Sequence, residues 1–192
     1  MSMNCKEAYL LGRFFGDGWF EKNGIAIATK SIEDVKTLLR LFDEVYGLKA
    51  KIKLRTYNDG HKVYVIRVWS KNLYIKYMQL LRTSRKKSLT AIPPELCGIA
   101  KQCFLKGVLD AESWIYTWRG KLRISLELYN EAMVKYLRSI LEELKVKSSL
   151  SLCSDGAYRI DITGSHALSL INLFSYLTKN SNLPPHPGES RL

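Results

Sequence analysis

The chain repeats itself, and this constrains its fold more than any other feature. Ala8-Tyr-Leu-Leu-Gly-Arg-Phe-Phe-Gly-Asp-Gly-Trp-Phe20 lies on Cys103-Phe-Leu-Lys-Gly-Val-Leu-Asp-Ala-Glu-Ser-Trp-Ile115 at an offset of 95 residues. Gly12 falls on Gly107, Gly16 on Ala111, Asp17 on Glu112 and Trp19 on Trp114. The match continues downstream. Glu44 to Leu54 lies on Glu142 to Leu152, Asp59-Gly60 on Asp155-Gly156, and Tyr64 to Val68 on Tyr158 to Ile162. The offset drifts from 98 to 94, as loops of unequal length require.

Each copy has the same grammar. A motif helix (6–17, and 99–112) precedes a β-hairpin (19–29, and 114–129). An amphipathic helix follows, with Ser31 or Asn130 as its N-cap. Its apolar stripe is Val35, Leu38, Leu39, Phe42 and Val45 in the first copy. In the second it is Val134, Leu137, Ile140, Leu141 and Leu144. A second hairpin turns at each Asp-Gly, a dipeptide suited to tight turns. A last helix (71–82, and 165–178) closes each copy. The expected fold class is α+β, two α-β-β-α-β-β-α halves over 1–82 and 102–192. Residues 83–101, with Pro93-Pro94 and no apolar period, read as the linker. The tail from Leu183 to Leu192, with three prolines, reads as extended.

The strands alternate. Period 2 sets Lys49, Lys51, Lys53 and Arg55 on one face and Ala50, Ile52 and Leu54 on the other. In the second copy Leu122, Ile124, Leu126 and Leu128 oppose Lys121, Arg123, Ser125, Glu127 and Tyr129. Each sheet is expected to bury one face on helices and present a polar, largely basic face outward. Composition agrees. Lys+Arg 30 against Asp+Glu 18 gives +12, of which +9 lies in residues 1–96. Such an excess points to a polyanionic partner.

The longest stretch without a charged side chain, Ile162 to Thr178, is too short and too polar for a membrane span. The first apolar run, Ala8 to Phe15, is broken by Arg13 and followed at once by Asp17, so no secretory leader is expected. Cys5, Cys97, Cys103 and Cys153 contain no C-x-x-C pair, so free thiols and an intracellular, cytoplasmic location are the expectation. No G-x-G-x-x-G or G-K-[ST] occurs, which argues against a nucleotide-binding enzyme. His61, His166 and His186 form no cluster.

Gly12 and Gly16, like Gly107 and Ala111, stand four apart on one helix face. Small residues there let two backbones approach closely. Two helices packed this way end in Asp17 and Glu112 side by side. Paired carboxylates repel, and the two helix C-termini add negative charge. A divalent cation resolves both, and hard oxygens at an open site suit Mg²⁺.

Leu10-Leu-Gly-Arg-Phe-Phe-Gly-Asp-Gly18 and Leu105-Lys-Gly-Val-Leu-Asp-Ala-Glu-Ser113 resemble the two signature motifs of the LAGLIDADG homing endonucleases. The layout is similar to the two-motif, single-chain subclass, including members encoded in archaeal ribosomal-RNA introns. The resemblance covers nearly the whole chain. It implies a pseudo-twofold monomer, needing no protein partner, whose sheets form a saddle over the major groove of double-stranded DNA. It also implies intron-encoded, metal-dependent cleavage of both strands at a long, specific site, leaving short 3′ overhangs. The cofactor would be Mg²⁺, for which Mn²⁺ can substitute. The family's metal ligand maps onto Asp17 and Glu112. Two motif positions depart from the consensus: Phe15 stands where Asp110 matches it, and Ser113 replaces the last glycine.

The resemblance also implies supporting catalytic residues at Lys30, after the first hairpin, and at Lys86 or its neighbour Lys87, after the last helix of the first half, with Lys179 the second-half counterpart; Lys121, close behind Glu112 in sequence, is another candidate. Arg67, Arg123 and Arg159 join the β-strand cations as DNA-binding candidates. An RNA maturase or a non-catalytic DNA-binding regulator of the same fold are the alternatives.

Overall fold

The computed structural model describes residues 3–57, 59–83 and 87–184. The first half runs α1 (Cys5–Asp17), β1 (Gly18–Glu21), β2 (Gly24–Thr29), α2 (Ile32–Tyr46), β3 (Lys51–Thr56), β4 (Lys62–Trp69), α3 (Lys71–Leu80). A short helix, α4 (Lys87–Thr90), follows. The second half runs α5 (Ile99–Glu112), β5 (Ser113–Trp118), β6 (Lys121–Leu128), α6 (Glu131–Glu143), β7 (Ser149–Leu152), β8 (Tyr158–Thr163), α7 (Ser165–Ser181). The two halves share the order α-β-β-α-β-β-α, as the repeat requires. Each forms an antiparallel four-stranded sheet, in the orders β1-β2-β4-β3 and β5-β6-β8-β7.

The local signals act as the sequence dictates. Ser31 Oγ accepts from the Asp34 amide and Asn130 Oδ1 from the Met133 amide, capping α2 and α6. Gly60 and Gly156 turn their hairpins at φ +80° and +88°, where an L side chain is strained. One face of each sheet closes the core. Ile25, Ile27, Ile66 and Val68 pack there beneath α1 and α2, as Ile124, Leu126, Ile160 and Ile162 do in the second half. Asn130 also donates from Nδ2 to the Ala91 carbonyl, 2.8 Å, tying α6 to the segment between the halves.

Two expectations are corrected. Ile52 and Leu54 are not buried; they are 47% and 48% exposed. The strand carrying them, β3, is an edge that pairs only with β4, and the helices do not reach beneath it. Leu150 and Leu152 on β7 repeat the pattern. The cysteines are not all free: Cys5 and Cys103 form a disulfide across α1 and α5, their Cα atoms 5.3 Å apart. Their 98-residue separation hides a contact that exists only because the two helices cross. Cys97 and Cys153 are free thiols. Among the described residues no helix is long and apolar enough to cross a membrane. The tail beyond Pro184 lies outside the described residues.

Candidate functional site

The site begins with missing side chains. A methyl group on Gly12 would run into the Phe104 carbonyl and come within 3.1 Å of the Gly107 Cα. One on Gly107 would meet the Tyr9 carbonyl and lie 3.1 Å from the Gly12 Cα. The backbones of α1 and α5 therefore touch glycine on glycine. One turn on, a methyl on Gly16 would collide with Ala111 Cβ and stand 3.5 Å from a Glu112 carboxylate oxygen. The small-residue stripe thus brings the two acids to one end of the helix pair.

Both helices stop in the same way. Gly18 and Ser113 are extended, at φ −100° and −101°, and each donates its amide to a carbonyl of the last turn. A residue with that φ needs no glycine, which accounts for Ser113 in the second motif. Gly18 is held to glycine by space: a methyl there would strike Phe14.

Asp17 and Glu112 stand half-buried at helix C-termini, with like charge facing like charge. Burial pushes the Asp17 carboxyl up to about 7, although Arg13 opposes this. Burial likewise raises the Glu112 carboxyl, against Lys87 and Arg13. Two cations moderate the pair. Arg13, buried in α1, holds Asp34 of α2 through two bonds, 2.8 and 2.6 Å, and reaches Asp17 at 3.4 Å. Lys87 of α4 donates to the carbonyls of Phe15 and Gly16, the latter at 3.1 Å. Burial pulls Lys87 down to about 8, while Glu112 and Asp17 push the other way. Deeper in the interface, Asp110 Oδ2 accepts from Tyr9 and from Lys106, both at 2.9 Å. That consensus acid of the second motif therefore serves a buried polar cluster between the helices.

Of the lysines singled out from sequence, the structure brings Lys87 to the carboxylates. Lys86 lies outside the described residues. Lys30 is exposed between β2 and α2. Lys121 is not beside Glu112. It pairs with Trp118 at the tip of the β5–β6 hairpin, five residues from Ser113, or roughly 16 Å along an extended strand. Lys179 lies in the last turn of α7. Arg13 was missed as a site residue, yet its signal was present: it stands at i−4 from Asp17, on the same helix face.

The outward sheet faces can be read from register. Trp19, Ala26, Arg67 and Lys51 are directly opposed across β1, β2, β4 and β3, and so share a face. Lys53 and Arg55 follow two and four residues along β3, both exposed, and Lys49 is exposed just before it. Arg67 is held by Glu21 at 2.9 Å. In the second half Trp114, Ser125, Asp161 and Ser149 share the corresponding row. Arg159 is held by Glu127 at 2.6 Å, and the Arg123 guanidinium lies 4.5 Å from the centre of the Trp118 ring.

The carboxylates fit a hard divalent cation, but only in part. Among the described residues no group of three or more His, Cys, Asp or Glu side chains could hold a metal. Two carboxylates at an open end leave positions for water and for an anionic substrate, the usual manner of Mg²⁺.

Residues 4–87 match the family described as LAGLIDADG-like domain. No curated protein sequence matches the chain. Mesophilic variants of the homing endonuclease I-DmoI share its fold with a TM-score of 0.68 at 22% identity, over 97% of this chain and 96% of that one. I-DmoI in complex with DNA and Mn gives 0.64 at 23%, over 88% and 94%. The homing endonuclease I-WcaI bound to its DNA recognition sequence gives 0.67 at 14%, over 100% and 88%. The first half thus matches the LAGLIDADG-like domain model, and the whole chain, through both motif helices, shares the fold of these endonucleases.

Proposed function

We propose that this protein is an intron-encoded homing endonuclease, cutting both strands of a long, specific DNA site with the help of a divalent metal. One observation carries the reading. Asp17 and Glu112 close two helices packed glycine on glycine, and basic side chains line the outward faces of the sheets that follow. The structural relatives support it, since they include homing endonucleases solved with DNA and Mn or Ca.

Asp17 and Glu112 would hold the metal, Mg²⁺ being the expected ion. When bound, such an ion polarises the scissile phosphate and makes a hydroxide-like nucleophile available near neutral pH. The chain supplies the rest. The crossing of α1 and α5 fixes the carboxylates relative to each other. Arg13 and Lys87 offset their mutual repulsion while no metal is present. Lys87 also places a cation beside the acids, where it can meet negative charge developing on a phosphate. Affinity rests on phosphate contacts from Lys49, Lys51, Lys53, Arg55 and the sheet arginines.

The test is cleavage of the intron-free host allele by purified protein in Mg²⁺, with Ca²⁺ as control. The wild type is expected to leave a double-strand break. Asp17→Asn and Glu112→Gln are expected to bind the site without cutting it. Full cleavage by either variant would overturn the assignment.

A further inference from the structure

The two sheet faces differ in what they can hydrogen-bond. On the first, the strand cations are Lys51, Lys53, Arg55 and Arg67 against one acid, Glu21, a net of +3. Glu21 is already held by Arg67. The floor between them is hydrocarbon. Ala26, Val63 and Val65 point outward by register and are nonetheless buried. Tryptophans and cation stems lie about them: Arg55 is 5.8 Å from the Trp19 ring centre and Lys51 is 5.3 Å from that of Trp69. Among the described residues, no Ser, Thr, Asn or Gln projects from these strands onto this face. Such a surface is dominated by donors, and its one acceptor side chain, Glu21, is engaged by Arg67.

The second face carries Lys121, Arg123 and Arg159 against Glu127 and Asp161, a net of +1. It also presents the hydroxyls of Tyr116, Ser125, Ser149, Ser151 and Thr163. Its acids are fixed in place. Asp161 accepts from Ser125, and Glu127 accepts from Arg159 at 2.6 Å.

Phosphates repel carboxylates, so an acid on a DNA-facing surface lowers affinity for every sequence alike. It gains only where it meets a donor. In the major groove the donors are the exocyclic amino groups of cytosine and adenine. Resting on the endonuclease reading above, we infer that the halves divide the work of recognition. The first sheet supplies salt-dependent affinity through phosphates. The second discriminates among bases, with Asp161 accepting from cytosine or adenine amino groups.

The experiment selects duplexes from a randomised pool with the full chain in Ca²⁺, then measures affinity for the enriched site and a scrambled one across salt. Lys51→Ala/Lys53→Ala/Arg55→Ala should flatten the salt slope by about 1 for each phosphate left without its cation, with the enriched motif kept. Asp161→Ala should leave the slope unchanged and relax one or two positions. It should weaken the enriched site by about 5- to 150-fold and spare the scrambled duplex. Asp161→Asn, which keeps the shape, should change the preferred base at the same positions. An unchanged motif in both Asp161 variants would overturn the division alone. A wild type that enriches no sequence would overturn the endonuclease reading and the division with it.

Discussion

The Lys87 ammonium donates to the carbonyl of Gly16 at 3.1 Å, one residue before Asp17. A residue from the segment joining the halves thus caps the helix that carries the first carboxylate. A cation at a helix C-terminus offsets the partial negative charge there. Here it also faces Glu112 and Asp17. Lys87→Met should lower the single-turnover cleavage rate by about 10²-fold, the order expected for loss of one preorganised donor. DNA affinity should stay within about twofold, because affinity rests on the groove and phosphate contacts. Lys87→Arg should recover part of the rate. A Met variant that binds and cuts like the wild type would show that Lys87 is only a helix cap.

The glycine contact between α1 and α5 gives a sharper pair. Gly107→Val places a branched side chain against the Tyr9 carbonyl and the Gly12 backbone, where nothing flexible can give way. It should cost at least ~1–3 kcal/mol in denaturant unfolding, as overpacked cores do, and abolish cleavage by parting the acids. Ser113→Gly is its contrast. Ser113 already has an ordinary extended φ of −101°, so the consensus glycine should change cleavage less than about threefold. A large gain on restoring glycine would mean that the motif's last position needs more than backbone geometry.

The disulfide between Cys5 and Cys103 closes a loop of 98 residues and ties the halves together at the helix pair. Loop-closure entropy sets its effect at about 4.7 kcal/mol for a loop of ~100 residues, less any residual structure in the unfolded chain. A 192-residue chain loses roughly 2–4 °C of Tm per kcal/mol. Cys5→Ser, or dithiothreitol added to the wild type, should therefore lower Tm by about 10 °C or more. Equal melting with and without reductant would show that the bond contributes no stability.

The repeat made most of this legible. Paired motifs, alternating strands and capping residues placed both sheets and the helices of the two copies, since each is encoded locally, whereas the short α4 fell in the stretch read as linker. The edge strands were not legible, because period 2 tells which residues share a face but not whether a helix covers it. Ile52 and Leu54 have the right spacing and no cover. Contacts made by the helix crossing were hidden too. Cys5 meets Cys103, and Tyr9 meets Asp110, only once α1 lies on α5. Lys121 was misplaced because nearness to Glu112 in sequence was read as nearness in space. A hairpin carries it to the far tip instead. The lysine from between the halves, Lys87, was reachable by analogy alone, since no local pattern aims it at Asp17.

The last prediction concerns the stability cost of the site itself. Burial raises the Asp17 carboxyl from its usual 3.8 to about 7. Between those values the folded protein holds a proton that the unfolded chain has released. Stability then falls as pH rises across that window, and the whole penalty is present above about 7. Asn at this position never ionises. With metal removed by EDTA, Asp17→Asn should match the wild type near pH 4 and melt a few degrees higher at pH 8. The gain is bounded because the Asp17 side chain is 31% exposed and so partly screened. Adding Ca²⁺ or Mg²⁺ at pH 8 should reverse the order. A ligand that binds only the folded state stabilises it, and the wild type alone keeps both carboxylates. The same metal should stabilise the wild type less at pH 6, where a proton competes for Asp17. Thermal melting at three pH values, with and without metal, checks all of this. A difference between variant and wild type that did not change from pH 4 to pH 8 would show that Asp17 ionises normally in the fold. The strained, metal-seeking carboxylate pair would then be the wrong description of the site.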